Sequence, residues 1–106
     1  MKGWVYLLEE RGDYLRYKIG FTKNNVEKRV KQLSTGNSNE INVICKYESK
    51  HYKRIEQMLH RKFHKTRERL EWFTLSDEQV LSFLTEIKKA DELIDFLSKN
   101  NPFFKN

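Results

Sequence analysis

The run Leu15 to Phe21 alternates apolar and polar side chains with a period of two, as expected for an extended strand with one buried face. A second run rich in β-forming residues, Trp4 to Leu8, precedes it, and a short polar segment joins the two. So short a connection predicts an antiparallel hairpin. If the apolar side chains of both strands share one face, Tyr6 and Lys18 lie together on the opposite face.

The next stretch predicts a helix, a strand and a second helix. Asn24 has an acidic residue three positions later, as in a helix-capping box, and Gly36 is a suitable helix stop. Ile41 to Tyr47 alternates again and predicts a third strand. Tyr52 to Lys65 has apolar residues at helical spacing, and Glu56 lies beside that stripe. These elements predict an α+β fold with a small, mainly antiparallel three-stranded sheet flanked by helices.

The C-terminal part predicts one long helix, or two helices with a break near Ala90. Ser76 and Gln79 form a capping box, and Pro102 marks the end of the helical pattern. The apolar stripe consists of Val80, Phe83, Ile87, Ala90, Ile94 and Leu97, which are spaced alternately by three and four. Such a stripe either closes the core of the same domain or forms the seam of a homodimer. We expect residues 1–75 to form the working core and residues 76–106 a helical extension packed on the same domain.

Charge is unevenly distributed between these two parts. Residues 1–75 contain 17 Lys and Arg against 9 Asp and Glu, whereas residues 76–106 contain 4 against 6. An excess of cations in the first part favours a polyanion-binding surface, and a solvated charged surface is the alternative.

The remaining composition predicts one intracellular domain. The length of 106 residues fits a single modest core. Cys45 is the one cysteine, so an intramolecular disulfide is excluded, and a reducing, cytoplasmic location is expected. No apolar run approaches the ~18 residues of a membrane-spanning helix, which predicts no membrane partner.

Short motifs follow one another in a distinctive order. Trp4-Val5-Tyr6 and Lys18-Ile19-Gly20 occupy the first two strands, Arg29 lies on the first helix, and Glu56 on the second, with Glu71-Trp72-Phe73 beyond it. In order and spacing, this set resembles the GIY-YIG nuclease superfamily. The Tyr-Lys-Ile-Gly form and the Glu-Trp-Phe triplet resemble its compact branch, which is common in phages and other viruses. Two positions depart from the family pattern, because tryptophan replaces the first glycine and lysine replaces the second tyrosine.

The resemblance implies a metal-dependent endonuclease that cleaves DNA phosphodiester bonds, with one Mg²⁺ or Mn²⁺ bound by Glu56. Arg29 would hold the non-bridging phosphate oxygens, and Lys18 would contact the phosphate as a point charge. Tyr6 would act as general base or orient the water, and a general base would need a lowered pKa. His60, one helical turn after Glu56, would relay a proton or orient the carboxylate.

Six basic residues are the expected contacts to the DNA backbone: Arg16, Lys53, Arg54, Arg61, Lys65 and Arg67. Two other functions remain open on sequence alone. One is a nucleic-acid-binding module without catalysis, in which Glu56 is structural and pairs with Lys53. The other is a viral interaction protein that dimerises through its C-terminal helix.

Overall fold

A computed structural model describes residues 1–101. Pro102, the predicted helix stop, lies outside the described residues. In chain order the elements are β1 (Gly3–Arg11), β2 (Leu15–Thr22), α1 (Val26–Ser34), β3 (Glu40–Ser49), α2 (Tyr52–Lys62), a short 3₁₀ turn (His64–Thr66), β4 (Arg67–Arg69), β5 (Trp72–Phe73) and α3 (Asp77–Asn100).

The predicted α+β class is confirmed, but the sheet has five strands instead of three. All its pairings are antiparallel, and the strand order is β3-β1-β2-β5-β4. The two additional strands contain three and two residues. β5 lies within Glu71 to Leu75, whose residues are typical of a short extended segment, whereas β4 is too short to display a period-two alternation and was not predicted.

The hairpin has the register expected from its alternation. Leu7 pairs with Ile19, and Tyr6 pairs with Gly20. One face of β1 and β2 is therefore apolar and is covered by α2 and α3. Its buried core includes Val5, Leu7, Tyr17, Ile19, Ile55, Leu59, Phe63, Phe73, Phe83, Ile87 and Ile94. Tyr6 and Lys18 lie on the opposite face, as predicted.

Helix α1 covers part of this opposite face. Val26 packs with Tyr6 and Leu8 in a second, smaller core. The helix is capped by Asn25, whose side chain accepts a hydrogen bond from the Lys28 amide, so the predicted start at Asn24 was one residue early. Past the end of the helix, Gly36 has a φ of 75°, a left-handed conformation that suits glycine.

Helix α2 ends at Lys62, earlier than the predicted Lys65. The amide of Thr66 bonds to the carbonyl of Phe63, so the last stretch tightens into the 3₁₀ turn. Phe63 is buried at this junction and stacks on Phe83 of α3, with ring centroids 5.7 Å apart. The need to place this ring in the core accounts for the early end.

Helix α3 is continuous and begins with the predicted capping box of Ser76 and Gln79. The middle of its apolar stripe, from Phe83 to Ile94, is buried in the core of the chain itself. A homodimer through α3, which stays a prediction, would therefore use side chains such as Leu93 and Phe96, both of which are exposed. Among the described residues, no helix combines the length and apolarity needed to cross a membrane.

Polar contacts tie α3 to the corner between β3 and α2. The hydroxyl groups of Tyr47 and Ser49 donate to the carboxylate of Asp91 at 2.8 and 2.5 Å. Nε2 of the buried His51 lies 3.2 Å from Oδ1 of Asp95. We call these five residues the corner clamp. The clamp fixes the end of β3 and His51, the residue before α2, against α3.

Candidate active site

The candidate site lies where β2 loses its neighbouring strand. β5 pairs only with Tyr17 and Lys18 of β2, and the next amide, that of Ile19, donates to the carbonyl of Glu71 at 3.1 Å. Helix α2 covers this edge, because Nε2 of His60 lies 2.8 Å from the carbonyl oxygen of Ile19. A carbonyl can only accept, so Nε2 is the donor. This bond brings the helix surface that carries Glu56 to the edge of the sheet.

Tyr6 reaches the site across Gly20. Its side chain is 1% exposed, and its hydroxyl oxygen lies 2.6 Å from the position that a Cβ on Gly20 would occupy. Glycine is therefore required at this point for a steric reason. The close approach lets the phenol ring of Tyr6 cross the neighbouring strand.

The pKa of Tyr6 is raised, and the lowered pKa that a general base requires is not found. Burial is the largest cause. The guanidinium of Arg29 lowers the pKa, but the carboxylates of Glu71 and Glu56 add to the rise. The free energy of desolvating a phenolate outweighs the attraction to one cation. At neutral pH, Tyr6 is a neutral phenol that can donate or accept a hydrogen bond.

Arg29 lies at the edge of α1 next to this phenol. Its Nη1 donates to Oε1 of Gln32 at 3.2 Å, which leaves the side chain half-buried along the helix. Glu27, on the same helix, contacts Nζ of Lys46 at 3.0 Å. The guanidinium of Arg29 is close enough to Tyr6 to lower the pKa of its phenol, which places it at the candidate site.

Lys18 is a buried cation with a carboxylate partner that the sequence interpretation left without a role. The residue is 5% exposed, and its Nζ lies 3.2 Å from Oε2 of Glu71. The ring of Trp72 is also close, with its centroid 5.5 Å from Nζ. Glu71 belongs to the Glu-Trp-Phe triplet of the sequence. Its position as an acid in this motif is the sequence feature that could have identified it as a residue of the site.

Glu56 is a buried carboxylate without a hydrogen-bond donor. It is 8% exposed, and in the described part of the chain it accepts no hydrogen bond within 3.5 Å. Its nearest ion-pair partner is Nε2 of His60, at 3.6 Å. Burial raises the pKa of Glu56, and the nearby carboxylate of Glu71 adds to that rise. The alternative pair with Lys53 does not form, because that ammonium lies over the ring of Tyr52, 5.9 Å from its centroid.

The ligand atoms of Glu56, His60 and Glu71 all lie within 4.8 Å of one another. Carboxylate oxygens are the ligands that Mg²⁺ and Mn²⁺ prefer. Nε2 of His60 is already occupied by the carbonyl of Ile19, so the two glutamates are the better donors for a hard cation. A buried carboxylate that accepts no hydrogen bond fits such an ion, because a cation would supply the missing favourable contact.

The six basic residues expected to contact DNA do not form one surface. Arg16 and Arg67 are near the site: the Arg16 guanidinium lies 4.2 Å from the centroid of the Trp72 ring, and Arg67 helps to keep Glu56 ionised. Arg54 and Arg61 lie on another side of α2, where they line a groove with residues of α3. Lys65 is exposed on the 3₁₀ turn.

Lys53 lies in a groove that the sequence interpretation did not identify, and Arg54 lines this groove as well as the one with α3. Lys23 and Lys50 also line the groove of Lys53, and both come from loops that the fold brings together. Among the described residues, no acidic side chain lines this groove. The sequence shows these lysines only as separate, isolated residues, because their proximity depends on the tertiary fold.

Comparison with known families gives one match. Residues 3–88 match the family model of the T5orf172 domain. The chain belongs to the T5orf172 domain family. No curated protein and no solved structure gives a significant match.

The T5orf172 domain is of a nuclease-associated type found in phage, and it indicates a nuclease-related or DNA-binding module. The match includes all the residues that form the candidate site, from Tyr6 to Glu71, as well as the first half of α3.

Proposed function

We propose that this chain is an endonuclease of GIY-YIG type that hydrolyses DNA phosphodiester bonds with the help of Mg²⁺ or Mn²⁺. The observation that carries the proposal is the environment of Glu56, a buried carboxylate that accepts no hydrogen bond from described residues. Burial raises the pKa of Glu56, and a bound cation would stabilise its ionised form. Membership of a nuclease-associated family supports the proposal.

Each neighbouring side chain has a role that fits its position. Arg29 and Lys18 are cations that can hold the non-bridging oxygens of a phosphate. Burial raises the pKa of Tyr6, which favours its neutral phenol as the group that orients the attacking water or the phosphate by hydrogen bonding. His60 is bound to the carbonyl of Ile19 and positions Glu56.

The metal would be held by Glu56, and when bound it would act as a Lewis acid on the phosphate and lower the pKa of a water ligand. Two cations near the site, Arg16 and Arg67, would contact the phosphates next to the bond that is cut. The lysine groove around Lys53 would contact the backbone further along the strand.

The first test is cleavage of supercoiled plasmid by the wild type and by Glu56→Gln, with Mg²⁺ or Mn²⁺ and with EDTA. We expect nicking or linearisation that requires the metal and falls by at least about 100-fold in the variant, since the group it loses is the proposed ligand. Glu92→Gln removes an exposed carboxylate on α3 and is the matched control; it should cleave like the wild type.

Loss of cleavage in Glu56→Gln cannot be attributed to unfolding if the variant melts higher than the wild type. A higher melting temperature of Glu56→Gln is the expected result, because the folded protein binds a proton at Glu56 more readily than the unfolded chain does. The ionised form therefore lowers stability above the folded pKa, and a neutral glutamine removes this effect. We expect a gain in stability, measured by thermal unfolding at neutral pH in EDTA so that no metal is bound to the wild type.

Absence of cleavage in the wild type would overturn the proposal. If DNA binding then weakened steeply with salt and did not change in Glu56→Gln, the chain would be a backbone-binding module. Lys18, which replaces the second motif tyrosine, would be the first residue to exchange.

A further inference from the structure

We propose that Glu71 is a second carboxylate ligand for the divalent cation at Glu56, and that Lys18 and this cation compete for it. The inference rests on the proposed function, because it concerns the same site. It places Glu71 in the metal centre, and it implies that Lys18 is released from Glu71 only when the metal binds.

The backbone around Glu71 is fixed close to the site. Its carbonyl accepts a hydrogen bond from the Ile19 amide at 3.1 Å, which fixes the entry to β5 against β2. The preceding residue, Leu70, has a φ of 53°, a left-handed conformation that is unfavourable for leucine. Arg67 Nε donates to the carbonyl of Leu70 and stabilises this turn. Strain of this kind persists where the surrounding contacts impose it.

Two charged groups are within reach of the Glu71 carboxylate. Oε2 lies 3.2 Å from Nζ of Lys18. A ligand oxygen of the same residue lies within 4.8 Å of those of Glu56 and His60. Glu71 and Glu56 repel each other when both are ionised, and a divalent cation between them would convert this repulsion into attraction.

Oxygen donors favour this pair of glutamates over the histidine. Mg²⁺ and Mn²⁺ are hard cations with a preference for carboxylate and water. His60 Nε2 donates its proton to the carbonyl of Ile19 and is not free to bind a metal in that arrangement. One glutamate from α2 and one from the β4–β5 turn therefore make the better ligand set.

The consequence concerns Lys18. If Glu71 turns to the metal, the buried ammonium of Lys18 loses its carboxylate partner, and its other described neighbour is the ring of Trp72. A buried cation without a partner is unfavourable, and a phosphate oxygen can replace the carboxylate. Metal binding and phosphate binding should then strengthen each other by the same factor.

The test is Mn²⁺ binding to the DNA-free protein, measured by isothermal titration calorimetry. We expect Glu56→Gln to abolish binding and Glu71→Gln to weaken it by roughly tenfold or more. Glu68→Gln is the matched control, because Glu68 lies on the same turn but accepts hydrogen bonds from Tyr14 and Thr74. That variant should bind Mn²⁺ with an affinity within about threefold of that of the wild type. The comparison shows how much the loss of one nearby negative charge changes the affinity by itself.

A second pair of variants tests the competition. Lys18→Met removes the competing cation and should increase Mn²⁺ affinity several-fold more than Arg69→Met, which removes an exposed cation of the same segment that is not bound to Glu71. Equal gains in the two variants would overturn the proposed exchange.

The outcomes also separate this inference from the proposed function. Wild-type Mn²⁺ affinity in Glu71→Gln, with binding lost in Glu56→Gln, would refute the role of Glu71 and leave the nuclease proposal intact. Absence of Mn²⁺ binding to the wild type, together with absence of cleavage, would refute both.

Discussion

The two faces of the β1–β2 hairpin differ in what their buried residues do. On one face, Leu7 and Ile19 pack against two helices in an apolar core. On the other, helix α1 covers β1 and β3, and buried polar groups such as Lys18 and Glu10 lie on the adjoining strands. The alternation of side chains along this hairpin thus places the residues of the apolar core on one face and the residues of the candidate site on the other. The first face should respond to substitution through folding, and the second mainly through binding and activity.

The largest expected effect tests the apolar face. Phe83→Ala should lower the free energy of unfolding by about 3–5 kcal/mol, because this ring is 0% exposed and stacks on Phe63. Phe96→Ala, on the same helix but with the residue 60% exposed, should change it by less than about 0.5 kcal/mol. Urea unfolding of both variants measures the difference. Similar losses in the two would mean that α3 does not close the core as described.

A smaller effect is expected on the site face at Gly20. Gly20→Ala places a Cβ where the Tyr6 hydroxyl lies, and that ring is buried and cannot move freely. We expect a loss of about 1–3 kcal/mol in stability, together with loss of cleavage as Tyr6 is displaced. Gly12→Ala meets the side chain of Asn39 near the hairpin turn and should be nearly neutral in both measurements. A Gly20→Ala variant with wild-type activity would show that the position of Tyr6 is not needed.

The smallest expected effect is a difference in pH dependence between two buried carboxylates on this side of the sheet. The hydrogen bond from Arg16 Nε, at 2.5 Å, is the main reason that the pKa of Glu10 is lowered. Its contribution to stability is therefore present above the unfolded pKa and is lost as pH falls through the folded pKa. Glu56, whose pKa is raised, acts in the opposite direction.

Glu10→Gln should therefore lose less stability than the wild type when the pH is lowered from neutral to about 3, by about 0.2–1 kcal/mol. Urea unfolding at several pH values measures this difference. The same acid sensitivity in both proteins would show that the Arg16–Glu10 pair does not stabilise the fold.

The parts of the fold that the sequence could predict are those with long periodic patterns. The alternation of Leu15 to Phe21 sufficed to place Tyr6 and Lys18 on one face, and the cap at Ser76 located the start of α3. β4 and β5 are too short for such a pattern, and Glu71, which enters the site through them, received no role.

The electrostatics of the site were predicted less well than its positions. A general-base role would need a lowered pKa for Tyr6, but burial, which is a tertiary property, raises the pKa of this phenol. Likewise, local helix spacing suggested a pair between Glu56 and Lys53. In the folded chain, the carboxylate faces the sheet edge and the ammonium faces the ring of Tyr52.

The corner clamp gives the far end of α3 a mechanical role. Asp91 and Asp95 lie after residue 88, where the family match ends, yet Asp91 binds the end of β3 and Asp95 binds His51, the residue before α2. A helix rises about 1.5 Å per residue, so Glu56 lies only about 7.5 Å along the axis from His51. A tilt of about 10° at that pivot would displace Glu56 by about 1 Å, a misplacement large enough to impair catalysis. The contacts that Asp91 and Asp95 make near the end of α3 therefore help to hold Glu56 in position without touching it.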